Sequence, residues 1–183
     1  DGVTVVAADV PTRLVVEKVA EDGALLPGAR FTVTPTGAST FADGTTGAKE
    51  LTTGADGTAS LEGQLCVGAT YDIAETAAPA GYELAGESLR VTVQADGSLA
   101  AADGVSAPWS LDGSAATVSL ADEPIRAFVK KVNANDETQA LSGVTFDVVG
   151  AFADGAASKS VETGADGTVL IEGLVAGNRY QVT

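Results

Sequence analysis

An internal repeat constrains the fold of this chain more than any other feature of its sequence. Residues 4–13 read TVVAADVPTR and residues 117–126 read TVSLADEPIR, so Thr, Val, Ala, Asp, Pro and Arg coincide in the same order. At the same spacing, Lys18-Val19 recurs as Lys131-Val132. Chance does not produce a collinear match of this length, and a unit of about 110 residues has the size of an ordinary domain.

The match continues along the chain with small deletions. The tetrapeptide FADG occurs at residues 41–44 and again at 152–155. The hexapeptide TGADGT occurs at residues 53–58 and again at 163–168. The two copies therefore share their loops as well as their strands.

The repeat sets the expected domain boundaries. We expect residues 1–12 to be the last strand of a preceding repeat and residues 13–124 to be a complete domain. Residues 125–183 are then the N-terminal half of a following domain. On this interpretation the chain is a fragment of a longer array, and the alternative is that its ends exchange strands between molecules.

Local patterns predict an all-β chain. Short segments rich in Val, Thr and Leu alternate with turn signals at Asp22-Gly23, Asp56-Gly57 and Asp96-Gly97. Asp-Gly between alternating segments favours a hairpin, because glycine accepts a positive φ. No segment has a sustained helical period with caps. The sequence thus predicts immunoglobulin-like β-sandwiches with Greek-key connections.

Composition excludes several classes of function. The net charge is −15, from 10 basic and 25 acidic residues, and the basic residues do not cluster as a nucleic-acid surface requires. The chain has no His and a single cysteine, Cys66, so His-based catalytic triads, His-based metal sites and an intrachain disulfide are excluded. No apolar run reaches the roughly 20 residues of a membrane-spanning helix. We expect no cofactor and no metal.

Three ionisable residues continue the apolar face of a predicted strand. Period-two alternation places Lys18 on the face of Leu14 and Val16. By the same alternation Glu75 shares a face with Tyr71 and Ile73, and Asp122 shares one with Val118 and Leu120. If these faces form one core, the three groups satisfy one another, since a lone buried charge costs several kcal/mol.

Burial of these groups would also change their chemistry. A low-dielectric site disfavours charge and so favours a neutral Lys18 amine beside a protonated carboxyl group. Such a pair can condense to an amide with loss of water, and Glu75 would move the proton. The alternation alone equally fits a simpler arrangement, in which each charge sits at a strand end with its head group in water.

Three motifs resemble the Cna B-type (SpaA-like) domains of Gram-positive pilins and adhesins. The first is the strand ending in Lys18, followed by LPGARF at residues 26–31. The second is TTGADG at residues 52–57 with VGATY at 67–71. The third, ETAAPAGY at residues 75–82, is similar to the family's E-x-x-A-P-x-G-Y signature and is the most specific. The resemblance covers the first repeat fully and the second in part.

The resemblance implies a transthyretin-like sandwich with a covalent cross-link. In the family, a Lys on the first strand forms an isopeptide bond with an Asn or Asp on the last strand, assisted by a Glu. Carried over to this sequence, the bond joins Lys18 to Asp122 and the catalytic residue is Glu75. The usual partner is Asn, whereas this sequence has Asp, which also occurs in the family.

The equivalent residues in the partial repeats are Lys131 and Asp9. Lys131 matches Lys18, but Thr183 aligns with Ala74, so the sequence stops one residue before the expected Glu. Asp9 matches Asp122 and is expected to serve a lysine upstream. Pairing of Asp9 in one molecule with Lys131 in another is a further alternative, and whether the second repeat forms a bond stays open.

The expected function is structural. The repeats would form the stalk of a cell-wall-anchored, extracellular adhesin or pilus protein, with neighbouring repeats as partners and a distal tip that contacts host matrix or glycan. No turnover chemistry is expected, because the bond forms once per molecule. The alternative is that the repeats bind host matrix protein or glycan themselves, through the acidic surface or the loop of Trp109. We expect Trp109 to pack in the core, and Lys49 and Lys159 to be solvated.

Overall fold

The computed structural model describes residues 11–183, and that part of the chain contains strands and turns but no helix. It therefore includes no helix that could cross a membrane. The all-β prediction is confirmed. The segment 1–12, expected to be a last strand, lies outside the described residues except for its final two positions, and so does Asp9.

The chain divides into two compact units. Ala85–Ala121 belongs with the residues up to Ala77, whereas Ala78–Leu84 belongs with Asp122–Thr183. The division falls one residue before the end of a strand, so Asp122 is the last residue of a strand that otherwise lies in the first unit.

Two sheets form the first sandwich. Its strands are β1 (Arg13–Ala20), β2 (Arg30–Pro35), β3 (Lys49–Thr52), β4 (Thr58–Glu62), β5 (Thr70–Ala77), β6 (Ser88–Val93), β7 (Leu99–Ala101), β8 (Trp109–Asp112) and β9 (Thr117–Asp122). One sheet has the order β4-β1-β9-β8 and the other has the order β3-β2-β5-β6-β7. The chain crosses repeatedly between the sheets, as in Greek-key sandwiches. The first and last strands are therefore neighbours in one sheet.

The inward faces of these strands form one core. Its fully buried members include Leu14, Val16, Phe31, Phe41, Tyr71, Ile73, Val91, Val118 and Leu120. Trp109 is 5% exposed, packs edge-on against Phe31 with ring centroids 6.3 Å apart, and donates its indole N–H to the Glu87 carbonyl at 3.2 Å. The prediction that Trp109 packs in the core is confirmed.

The Asp-Gly turns form as predicted, but not all of them are hairpins. Asp96-Gly97 joins β6 to β7, which pair antiparallel. Asp56-Gly57 joins β3 to β4, which lie in different sheets, so a hairpin prediction at that turn is wrong. The reason is that turn chemistry specifies a chain reversal but not the sheet that the next strand enters. In both turns the Asp side chain accepts the N–H two residues on, at 3.0 Å for Asp96 and 3.1 Å for Asp56.

The second unit contains shorter strands. They are β10 (Arg126–Lys130), β11 (Val132–Asn133), β12 (Asp136–Ala140), β13 (Thr145–Val149), β14 (Ser158–Glu162), β15 (Thr168–Glu172) and β16 (Gln181–Val182). They pair as β10-β15, β11-β12 and β14-β13-β16. A small core of Val148, Phe152, Ile171 and Leu174 joins them.

Candidate functional site

Lys18 lies on the inward face of β1 and its side chain is completely buried. The backbone fixes its position, because its N–H donates to the Gly57 carbonyl at 2.9 Å and its carbonyl accepts the Leu26 N–H at 2.8 Å. Gly57 has a φ of 69°, and a Cβ there would lie 3.1 Å from the Lys18 carbonyl oxygen and 2.9 Å from the Leu25 Cβ. Only glycine fits so close to the lysine.

Glu75 faces Lys18 from the opposite sheet. It lies on β5, where alternation with Tyr71 and Ile73 directs it inward. Its Oε1 is 3.4 Å from the Lys18 Nζ, and neither side chain is exposed to solvent. Its Oε2 accepts the Ala85 N–H at 3.0 Å. The carboxylate is therefore held in place on one side and paired with the amine on the other.

Asp122 is the last residue of β9 and is 2% exposed. Strand β9 lies beside β1 in the sheet. The Val15 N–H donates to the Ala116 carbonyl at 2.8 Å, and the Ser119 hydroxyl donates to the Glu17 carboxylate at 3.0 Å. Residue numbers therefore increase in the same direction along both strands, which is the pattern of a parallel pair. Strand β9 thus runs alongside β1, and Asp122 ends it.

The prediction that the three ionisable residues continue the apolar faces of their strands is confirmed. Lys18 is 0%, Glu75 is 6% and Asp122 is 2% exposed, so the alternative with head groups in water is wrong. Removing two carboxyl groups and an amine from water is costly, and natural cores keep such groups only in mutual contact or for chemistry. The Lys18–Glu75 pair, 3.4 Å apart and out of contact with solvent, is suited to proton exchange.

Lys131 has the backbone environment of Lys18 but not its burial. Its N–H donates to the Gly167 carbonyl at 2.8 Å and its carbonyl accepts the Leu141 N–H at 2.9 Å, which reproduces the contacts of Lys18. The residue is exposed. The alignment of the two lysines is therefore supported at the level of the backbone.

Lys49 and Lys159 remain partly exposed, so their predicted solvation is correct in part, but each also makes two specific contacts. The Lys49 Nζ lies 4.7 Å from the centroid of the Phe41 ring and 2.9 Å from an Asp43 carboxylate oxygen. Lys159 lies 4.7 Å from the Phe152 centroid and 3.0 Å from Asp154. Each ammonium group is stabilised by an aromatic face and a carboxylate at once. The recurrence of FADG upstream of each lysine was the sequence signal for this contact.

A tyrosine fixes the same loop in each repeat, and sequence reasoning missed it. The Tyr71 hydroxyl donates to the Thr40 carbonyl at 2.8 Å and accepts the Cys66 N–H at 2.9 Å. Burial raises the pKa of Tyr71 above its ordinary value. The Tyr180 hydroxyl makes the equivalent contacts in the second repeat, at 2.7 and 2.9 Å. The available signal was that Tyr180 follows Gly177 by three residues, as Tyr71 follows Gly68 in the first repeat.

Within residues 11–183, no group of three or more acidic or cysteine side chains is placed to hold a metal ion. The acidic turns instead bind their own backbone, as described for Asp56 and Asp96.

A family model described as the SpaA prealbumin-like fold domain matches residues 12–105 and 126–183. One matched segment falls in each copy of the repeat, and the first ends at residue 105. The prealbumin-like description agrees with the two-sheet sandwich of the first unit. No curated protein matches the chain.

The solved structures that resemble this chain do so at low sequence identity. A C-terminal fragment of the pilus adhesin SpaC from Lactobacillus rhamnosus GG is 18% identical with a TM-score of 0.50, over 94% of this chain and 75% of that one. A streptococcal ancillary pilin is 18% identical with a TM-score of 0.49, over 96% of this chain and 54% of that one. The Bacillus anthracis TIE protein is 20% identical with a TM-score of 0.47, over 96% of this chain and 28% of that one. The chain thus spans about half or less of the last two proteins.

Proposed function

The chain belongs to the SpaA family of prealbumin-like domains, and we propose that it is a stalk segment of a cell-wall-anchored Gram-positive adhesin or pilus protein. In this proposal residues 13–124 form one repeat and residue 125 begins the next. The protein acts outside the cell, with neighbouring repeats as its first partners and with host matrix or glycan contacted at a distal tip. The pilus-adhesin fragment with a TM-score of 0.50 supports this setting.

The buried pairing of Lys18 with Glu75 is the observation that carries the proposal. Nothing in a purely passive sandwich requires an amine and two carboxyl groups in the core, where apolar side chains would be as stable or more so. A covalent bond between Lys18 and Asp122 accounts for all three residues. It would join β1 to β9, the first and last strands of the repeat.

The proposed reaction is an amide condensation. The neutral Lys18 Nζ attacks the Asp122 carboxyl carbon while that carboxyl group is protonated. Glu75 accepts a proton from the attacking nitrogen and returns it to the departing hydroxyl, so one C–N bond forms, one C–O bond breaks and one water leaves. Because the product is permanent, each molecule reacts once and there is no enzymatic turnover.

The bond would make the repeat inextensible. Force enters a stalk through the ends of each repeat, and β1 and β9 lie at those ends. A cross-link between them carries the load past every strand in between. The Lys18–Asp122 segment of roughly 100 residues would then never extend, although its free contour length is about 35 nm.

Single-molecule pulling on this chain tests the stalk function. We expect the wild type to lack any extension event of about 35 nm, and Lys18→Met, which cannot form the bond, to show one. The smaller extension of the second unit serves as the internal reference in both traces. An event of about 35 nm in the wild type would contradict a load-bearing cross-link.

A further inference from the structure

The signature motif continues beyond Glu75 into a loop whose contacts the cross-linking chemistry does not use. This loop, residues 78–84, is the first part of the connection between β5 and β6, and we call it the signature loop. At its base, the Ala85 N–H donates to the Glu75 carboxylate at 3.0 Å. The loop therefore starts and ends beside the residue proposed to move the proton.

The tip of the signature loop pairs with the chain that follows Asp122. The Glu83 N–H donates to the Glu123 carbonyl at 2.9 Å, and the Ile125 N–H donates to the Gly81 carbonyl at 2.8 Å. Between these two bonds Tyr82 and Pro124 form an antiparallel bridge. The three links make a short backbone ladder, which begins at the residue directly after Asp122.

The ladder matters because Asp122 is the last residue of β9. A residue at a strand end frays unless the chain beyond it is held, and condensation requires the reacting atoms to stay within about 3–3.5 Å of each other. Pairing through Glu123 holds the chain immediately beyond Asp122. The other strand of the ladder, residues 81–83, is followed in the chain by Ala85, which donates its N–H to the Glu75 carboxylate.

Gly81 has the conformation that this ladder requires. Its φ is 93°, and a Cβ there would lie 2.8 Å from the Ala153 Cβ. A side chain at this position would be strained by its backbone and would also collide with a neighbour. Gly86, two residues beyond the loop, has open space around it and no positive φ.

We propose that the signature loop is a positioning element for the cross-link, which holds the Asp122 carboxyl group in register with Lys18 and Glu75 through the ladder of residues 81–83 with 123–125. The inference rests on the proposed function and adds a second role to the signature motif. Glu75 takes part in the chemistry, whereas Gly81, Tyr82 and Glu83 set its geometry through their backbone.

Removing one ladder hydrogen bond tests this role. Glu83→Pro deletes the N–H that donates to Glu123, and the extended conformation of Tyr82 in the bridge is the one that precedes proline. Glu83→Ala keeps the N–H and is the matched control, because the Glu83 side chain is exposed. The protein is synthesised by cell-free translation, and samples are quenched in denaturant at successive times. The intact mass of each sample gives the fraction of chains that have lost one water. We expect Glu83→Pro to cross-link about ten- to hundredfold more slowly than Glu83→Ala.

A second pair and a second measurement separate positioning from folding. Gly81→Ala is expected to slow the reaction, while Gly86→Ala keeps the wild-type rate. In a Lys18→Met background, where no bond can form, Trp109 fluorescence should show nearly equal unfolding for Glu83→Pro and Glu83→Ala. Equal cross-linking rates in Glu83→Pro and Glu83→Ala would overturn the positioning role. A slow rate in Glu83→Pro would also overturn it if that variant unfolds more easily than Glu83→Ala in the Lys18→Met background. Neither result would affect the proposed function. A wild type that loses no water would overturn the proposed function and this role with it.

Discussion

Replacing Lys18 with methionine is expected to lower the unfolding temperature of the first repeat by about 20 °C or more. The proposed bond to Asp122 would close a loop of roughly 100 residues, and the chain-entropy treatment of cross-links assigns about 4.7 kcal/mol to a loop of that length. In a domain of this size each kcal/mol shifts the unfolding temperature by about 4–8 °C. Methionine has nearly the length of lysine without its charge, so little core volume is lost.

Trp109 makes this measurement specific, because it is the single tryptophan of the chain and lies in the core of the first repeat. Lys49→Met is the matched control, since Lys49 also pairs with a carboxylate but remains partly exposed. A surface ion pair contributes about 0–1 kcal/mol, so the control should shift the transition by a few degrees at most. Equal unfolding temperatures for the wild type and Lys18→Met would count against the cross-link.

Replacing Glu75 with glutamine is expected to slow formation of the bond by about 10²- to 10⁴-fold, the usual contribution of a positioned acid–base group. Glutamine keeps an oxygen that can accept the Ala85 N–H, so the loop base and the fold are retained. It cannot exchange a proton with the Lys18 amine. The rate is read from the fraction of chains that lose one water at intervals after synthesis.

Glu17→Gln provides the control for this loss of rate. Glu17 is adjacent to Lys18 in β1 but faces the other way, where it accepts the Ser119 hydroxyl at 3.0 Å. We expect its cross-linking rate to match the wild type. A Glu75→Gln variant that reacts as fast as Glu17→Gln would remove Glu75 from the chemistry and leave it a purely structural partner of Lys18.

The site was predictable from the sequence because strands have a strict two-residue period. Once Leu14 and Val16 are assigned to the core, Lys18 must follow them, and the same logic places Glu75 after Tyr71 and Ile73. The repeat also indicated the loops, because the motifs FADG and TGADGT occur in both copies. The pattern placed all three ionisable residues on inward faces, but it left the burial of their head groups open, and the structure decides that point.

Other contacts were not predictable, because they depend on which elements meet in space. The ladder between the signature loop and residues 123–125 joins segments about 40 positions apart that carry no periodic pattern. The turn at Asp56-Gly57 was identified correctly, but its neighbouring strands enter different sheets for reasons of packing rather than of turn chemistry. Lys49 looked solvated because its aromatic partner, Phe41, lies in a loop and not on its own strand.

The intact mass of the folded chain tests the central claim most directly. The account predicts that the wild type lies one water below its calculated mass and that Lys18→Met lies at its full calculated mass. Asp122→Asn should lose ammonia instead of water and so reach the same final mass as the wild type, because the two products are chemically identical. A folded wild type at its full calculated mass would contradict the account, since Lys18, Glu75 and Asp122 would then be a buried polar cluster without a bond.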